Sequence, residues 1–477
     1  MKNLILISFT IFSLNIFAQS NNYWSTSFNT EASLLAGAVV GGNSDLTSIY
    51  YNPAGISEIE ESKIALNANL MSGNYSSYKN ALGKGVDIID YSFKVQPRFV
   101  SYVYRSNKFK KLSWQFAIYN KATENTSIYK TVQYDASMLN KDYVESYNGN
   151  FDLAREYSDY RGGVGSSYIV NDKLSVGVSL IGIYKDLVYL KSLDISLFPK
   201  QINVEDSNYY YANWNSYQRI YMYNTRLLGR IGVRYKHKKM QYGLTITLPS
   251  FRVTGNSDSK RRISQSNIQS DDVHYPDYII TDSEDYLISN IKDPLSIAYG
   301  FVYTPNENTK LYFSTEYFFP IETYRFIDGR ESIEDKQYEG TDFLSHFHQA
   351  KGILNIGIGY QHDFSEKIEG LLGFKTDFNA YDLDLPYDLI ENDDMSQGNI
   401  DLYHFTAGVK TIHKRLSLIL GINYSFGFQK NIEQFANFTD VQMDDSNVLT
   451  GLQGTRKNEM NLFYNLVGLY SGFSFEF

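Results

Sequence analysis

The segment Tyr221-Met222-Tyr223-Asn224-Thr225-Arg226-Leu227-Leu228-Gly229-Arg230-Ile231-Gly232-Val233-Arg234-Tyr235 puts two different surfaces on one extended strand. At a period of two, one face carries Tyr221, Tyr223, Thr225, Leu227, Gly229, Ile231, Val233 and Tyr235. The opposite face carries Asn224, Arg226, Arg230 and Arg234. Aromatic rings close both ends of an apolar band, and guanidinium groups stand behind it. A sandwich in water would have to bury one of these faces, and the arginine face has no business in a core. A strand that crosses lipid around a wet lumen needs both.

The pattern recurs in both directions. Leu416, Leu418, Leu420, Ile422, Tyr424 and Phe426 alternate with Ser417, Ile419, Gly421, Asn423 and Ser425; Leu174, Val176, Val178 and Leu180 alternate with Ser175, Gly177 and Ser179. About fourteen such segments can be placed, within the range of bacterial barrels. They span 63–73, 96–105, 112–120, 158–170, 174–188, 220–235, 239–249, 292–304, 309–318, 350–362, 367–379, 400–411, 416–427 and 462–477. Short turn-like links (106–111, 171–173, 236–238, 305–308, 363–366 and 412–415) alternate with long ones, the longest being 121–157, 251–291 and 428–461. That alternation separates periplasmic turns from extracellular loops and puts both termini in the periplasm. The expected fold is all-β, a transmembrane antiparallel β-barrel of about fourteen strands.

Composition agrees. The 477 residues include 42 Tyr and 30 Phe but only 9 Pro, and mean hydropathy is −0.34. A barrel reconciles abundant aromatics with mild polarity, because only alternate strand residues face lipid and Tyr suits the two interfaces. No Cys is present, which excludes disulfides, thiolate metal sites and a cysteine nucleophile. A net charge of −9 argues against nucleic acid as a partner. No P-loop, G-x-S-x-G or H-E-x-x-H pattern occurs, so the chain reads as a non-enzyme without cofactor or metal.

At the N-terminus Lys2, the apolar run Leu4–Phe17 and the small residue Ala18 form a signal peptide over 1–18, too short to span a bilayer. Residues 19–60 would then be a plug and 61–477 the barrel. The chain ends Phe473-Ser474-Phe475-Glu476-Phe477. Alternating aromatics ending in Phe resemble the strand read by the outer-membrane assembly machinery, an expected partner alongside outer-membrane lipid.

Ahead of the first strand lies Ala36-Gly37-Ala38-Val39-Val40-Gly41-Gly42, then Asp45, Ser48, Tyr50-Tyr51 and Asn52-Pro53-Ala54-Gly55. The last four read as a turn: Pro53 fixes φ, Asn52 caps its own backbone, and Gly55 allows positive φ. The small residues suit a compact plug. In these residues, with the signal peptide, strand count and terminal Phe, the chain resembles the FadL/TodX family of outer-membrane transporters for long-chain fatty acids and other hydrophobic compounds. It departs from that pattern in Leu46 and Thr47 between Asp45 and Ser48. The resemblance implies an N-terminal hatch in the lumen, capture of a hydrophobic small molecule by the long loops, a lumen site beside the hatch, and sideways exit through the wall. A second reading, from a different class, is a FadL-like barrel that shuttles cargo in protein secretion; a third is an open porin, which would lack a Gly/Ala-rich hatch.

Arg226, Arg230, Glu316, Lys375 and Asp377 fall on lumen-facing phases. Arg226 or Arg230 could hold a ligand carboxylate through the fork geometry of guanidinium; the alternative is an ion-pair ladder filling the lumen. His346 and His348 could face one metal, or be two surface histidines. Asp271, Asp272, Asp277, Asp282, Glu284 and Asp285 suggest a solvated extracellular loop or a cation-binding surface. Lys236, Lys238, Lys239, Lys414 and Arg415 fall in periplasmic turns, near anionic headgroups.

Overall fold

The computed structural model describes residues 22–25, 28, 30–42, 46–106, 108–138, 144–200, 211–268, 276–330, 343–381, 400–441 and 451–477. The expected signal peptide, Asp45, Asp271 and Asp272 lie outside them.

Among these residues the strands, in chain order, are β1 (Lys63–Lys79), β2 (Ile88–Arg105), β3 (Leu112–Ala136), β4 (Glu145–Asn171), β5 (Leu174–Pro199), β6 (Ala212–His237), β7 (Met240–Thr247), β8 (Phe251–Ser266) and β9 (Tyr278–Ser289). They continue with β10 (Ser296–Asn306), β11 (Thr309–Phe318), β12 (Ile321–Asp328), β13 (His346–Ala350), β14 (Ile353–Ser365), β15 (Ile368–Asp377), β16 (Leu402–His413), β17 (Leu416–Ile432) and β18 (Met460–Glu476). Fourteen of them close an antiparallel barrel. β1 to β7 pair in sequence, β10, β11 and β14 follow, and β15 to β18 complete the ring. β18 returns to β1 along a ladder from Lys63↔Glu476 to Lys79↔Asn461. Closure leaves no edge along the seam, as a bilayer requires.

The other four strands, β8, β9, β12 and β13, stand above the barrel and continue its wall. β8 pairs with the upper half of β6 while β7 pairs with the lower half. Pairing then runs from β8 to β9 to β12 to β13. The breaks at 248–250, 290–295, 319–320 and 351–352 divide long strands into a membrane part and an outer part. The long links are thus not simply loops. Residues 121–136 and 145–157 form one continuous ladder of β3 with β4, and the 251–291 link is largely the β8–β9 hairpin.

The pleat reverses its polarity between the two levels. Within the membrane Tyr160, Val164 and Tyr168 of β4 point outward, and Asp159, Arg161 and Ser167 are buried inside. Higher on the same strand the buried residues are Tyr147, Phe151, Leu153 and Tyr157. β5 follows suit with Leu187, Tyr189, Leu193, Ile195 and Leu197, and β6 with Trp214, Ile220 and Met222. Phe435, Phe438 and Leu452 of the final extracellular link pack among them, so the outer part is filled by its own apolar core. The reason is the solvent outside the wall: lipid below, water above.

Candidate functional site: a plugged lumen and its side chamber

The N-terminal segment lies inside the barrel. Two single-turn helices, α1 (Glu31–Leu34) and α2 (Ser48–Tyr51), and a 3-10 turn over Pro53–Glu58 are almost entirely buried. Asn52 anchors the turn. Its Oδ1 accepts from Ala54 N at 3.1 Å, and its Nδ2 donates to Val40 O at 2.9 Å and to Val233 O at 3.2 Å. One side chain thus joins two parts of the plug to the wall. Pro53 opens the turn where no N–H is needed. Gly55 was expected to supply positive φ, but the left-handed positions are Ala36 and Gly37 instead. Gly55 is needed for space: a Cβ there would lie 2.9 Å from Ser48 Oγ and 3.0 Å from Arg234 Nη1.

Ion pairs fasten both ends of the plug. Glu58 pairs with Arg234 at 2.5 Å and Lys236 at 2.8 Å; Glu31 pairs with Lys410 at 2.8 Å, which also holds Glu369 at 3.1 Å. Farther up, Trp24 N donates to Asp377 Oδ1 at 2.8 Å, Trp24 Nε1 to Glu316 Oε2 at 2.7 Å, and Lys375 Nζ to Trp24 O. Three of the expected lumen-facing residues, Glu316, Lys375 and Asp377, therefore meet around Trp24.

Arg226 and Arg230 also face inward, and both bind the protein itself. Arg226 donates to Ser250 Oγ and Ser250 O at 2.6 Å and to Asn290 Oδ1 at 2.7 Å, clamping two of the strand breaks. Arg230 donates to Tyr50 O and lies 4.2 Å from the Tyr50 ring centre. Between them sits a buried ionic cluster: Arg161 with Asp159 and Asp293 at 2.8 Å, and Lys185 with Asp293 at 2.9 Å. The ion-pair ladder is thus present in this part of the lumen.

His346 and His348 are buried, not on the surface, because β13 joins the apolar core of the outer wall. His348 lies among Tyr324, Phe326 and Tyr381, and burial pushes its pKa down to about 3. Among the described residues no cluster of three or more metal-ligating side chains occurs. Asp282 and Glu284 lie on β9, where Glu284 meets Arg330 at 3.5 Å. Of the basic turn residues, Lys236 reaches the plug through Glu58. Phe473, Phe475 and Phe477 are exposed on the outer face of β18 and its end.

Beside the plug is a chamber of about 240 Å³, bounded by Asn22, Ser25 and Ser33 on the plug side. Its wall includes Ser92, Lys94 and Arg98 of β2 and Thr123, Glu124 and Asn125 of β3. Here the ladder between these two strands ends. They pair only from Phe99↔Tyr119 to Arg105↔Ser113, although β2 continues to Ile88 and β3 to Ala136. The β3–β4 ladder carries a register shift at Asn120/Ala122, beside the point where β2 and β3 stop pairing. Arg98 Nη1 bridges to Asn120 Oδ1 at 2.8 Å at its foot. The result is a slot between β2 and β3 with the chamber behind it. Sequence reading missed Lys94, Glu124 and Arg155 because they lie in stretches assigned to links.

The fold and this geometry define an outer-membrane β-barrel with an internal plug and a lateral slot. The structure is similar to that of the toluene transporter TodX of P. putida, with a TM-score of 0.53 and 12% identity over 94% of this chain and 97% of that one. It is also similar to a FadL homologue of Pseudomonas aeruginosa, with a TM-score of 0.55 and 13% identity over 98% and 99%. The chain therefore has the fold of the FadL/TodX barrels. No family model and no curated protein matches the sequence.

Proposed function

We propose that this protein carries hydrophobic compounds, long-chain fatty acids among them, passively across the outer membrane. The observation that carries the reading is the chamber, bounded on one side by the plug and facing the slot between β2 and β3. A ligand leaving sideways stays in contact with lipid, and each buried CH₂ is worth about 0.8 kcal/mol. On this reading Arg226 and Arg230 hold the wall and the plug, and ligand affinity survives Arg226→Ala. The similar solved structures, one of them a toluene transporter, support the reading.

The test is native mass spectrometry with lipid extraction on protein purified from outer membranes, comparing wild type with a deletion of residues 19–60. Co-purifying lipid, lost with the plug, is the expected result. A stoichiometric protein partner with no lipid would favour the cargo-shuttle reading. The tall outer wall of β3 to β6 offers such a partner a surface, since strands of 25 to 27 residues far exceed the roughly 9–11 needed to span a membrane.

A further inference from the structure

On the outside of the wall, above the lipid, three cations stand together without acidic partners. The outward residues of β6 run, from the membrane upward, Tyr223, Tyr221, Arg219 and Tyr217, while Met222, Ile220 and Gln218 between them are buried. In the neighbouring β8, Asp258 lies opposite Tyr221, Lys260 opposite Arg219 and Arg262 opposite Tyr217. Residues opposed in a ladder share a face, so Arg219, Lys260 and Arg262 form one outward cluster. Arg219 also lies 5.2 Å from the Tyr221 ring centre. Among the described residues none of the three cations forms an ion pair. The nearest carboxylate in the ladder, Asp258, accepts from Tyr286 N at 3.1 Å. Asp186 and Glu156 stand level with Tyr223 and Tyr221 on β5 and β4, which confines the positive surface to β6 and β8.

The height of the cluster matters. Tyr184 and Tyr223 stack at 6.5 Å and mark the outer aromatic girdle, because the outward residues below them are Val178 and Leu180 on β5 and Leu227 and Ile231 on β6. Arg219 is four residues beyond Tyr223. At about 3.3 Å per residue and a strand tilt of about 40°, that is about 10 Å above the girdle. Phosphates and sugars of the outer leaflet occupy this level. Directly below, the same two strands become apolar: Phe251 pairs with Leu227, and Phe251 and Val253 are 71% and 53% exposed. Cations, then tyrosines, then hydrocarbon follow one another down one column of the wall. A phosphorylated glycolipid has the same order of groups. A protein partner could use the cations but not the apolar column, which lies in lipid.

We propose that Arg219, Lys260 and Arg262 form a binding site for lipopolysaccharide of the outer leaflet. The two guanidinium forks and the ammonium hold its phosphates. Tyr217 and Tyr221 meet its sugars, and its acyl chains lie on Leu227, Phe251 and Val253. The site is on the outer surface, away from the chamber, and does not depend on the cargo.

The experiment is native mass spectrometry of the full chain in detergent, titrated with lipid A carrying two, one or no phosphates. Affinity is expected to rise with each phosphate. The triple variant Arg219→Gln, Lys260→Gln, Arg262→Gln should weaken diphosphoryl lipid A by about tenfold or more, the scale of lost charge-assisted contacts, and leave the dephosphorylated form unchanged. Asp258→Asn should tighten diphosphoryl lipid A, since it removes the one carboxylate beside the cluster. Lys110→Gln with Lys111→Gln, on the periplasmic rim, should change nothing. Heat-modifiable mobility shows that each barrel has folded; should the triple variant fail to fold, Asp258→Asn decides alone, and unchanged or weaker binding there overturns the proposal. Wild-type affinity in a folded triple variant would overturn it, as would an equal loss in the periplasmic variant, which would reduce the binding to net charge. Phosphatidylglycerol that binds as tightly as diphosphoryl lipid A and is lost in the triple variant would also overturn it, leaving a site for any anionic lipid. Inorganic phosphate that displaces lipid A at equal concentration would overturn the glycolipid and leave a site for free anions.

Discussion

Arg230 and Arg234 sit four residues apart on one strand face, and each fastens a different part of the plug. Arg230 lies over Tyr50 and donates to its carbonyl oxygen, while Arg234 pairs with Glu58. A cation held over an aromatic face away from water is worth about 2 kcal/mol. Arg230→Gln should therefore loosen the plug without unfolding the barrel, and planar-bilayer recordings should show larger or more frequent conductance than wild type. Unchanged recordings would mean that the contact does not secure the plug. His348 makes a different point. Its folded pKa, about 3, lies below the usual value of 6.5, so the unfolded chain binds the proton more tightly. Stability on this account is complete above about pH 6.5 and falls as pH drops toward the folded value. At pH 5 the loss is about 2 kcal/mol. His348→Phe should remove that acid-dependent loss, visible as a smaller drop in melting temperature between pH 7 and pH 5.

At the scale of elements, the plug and the wall were fitted to each other through missing side chains. A Cβ at Gly243 would collide with the Val40 carbonyl, and one at Gly232 with the Asn52 side chain. Gly243→Val should expel the Val40–Asn52 contact, raising protease cleavage within residues 36–58 while the heat-modifiable gel mobility of the barrel is kept. Cleavage like that of wild type would show that the wall yields instead. The membrane strands were legible because lipid outside imposes one rule, apolar out and polar in. Turns such as Asn171–Lys173 and Lys236–Lys238 sit where short polar links predicted them. The outer halves of β3 to β6 were read as loops because there the rule reverses. Phe151, Leu153 and Tyr157 continue the period of two on the opposite face, and a search for lipid-facing bands passes over them. The inward orientation of Arg226 and Arg230 could be read from phase, but their partners, Ser250, Asn290 and Tyr50, are set by distant chain. The slot was invisible for the same reason. Nothing local in β2 or β3 announces that their ladder stops at Phe99↔Tyr119.

For the whole molecule, the closing seam separates folding energetics from assembly. Phe477 is exposed; its N–H donates to Ser62 O at 3.1 Å, and its ring lies 5.5 Å from Phe475 and 6.3 Å from Tyr102. These contacts stand at one end of a ladder that joins β1 to β18 as far as Lys79↔Asn461. Losing one exposed hydrogen bond and one partly exposed ring should cost about 1–2 kcal/mol. A barrel stabilised by a continuous ring of such ladders should keep its melting temperature within a few degrees once assembled. On the expectation that the terminal aromatics are the strand the assembly machinery reads, recognition is a separate matter, because it would act on the unfolded strand before the seam exists. Deleting Phe477 should therefore lower the amount of folded protein in the outer membrane several-fold, measured by heat-modifiable mobility, while the purified survivor melts like wild type. A deletion that lowers both together would place Phe477 in the stability of the seam, and one that lowers neither would leave the terminal aromatics as lipid-facing side chains alone.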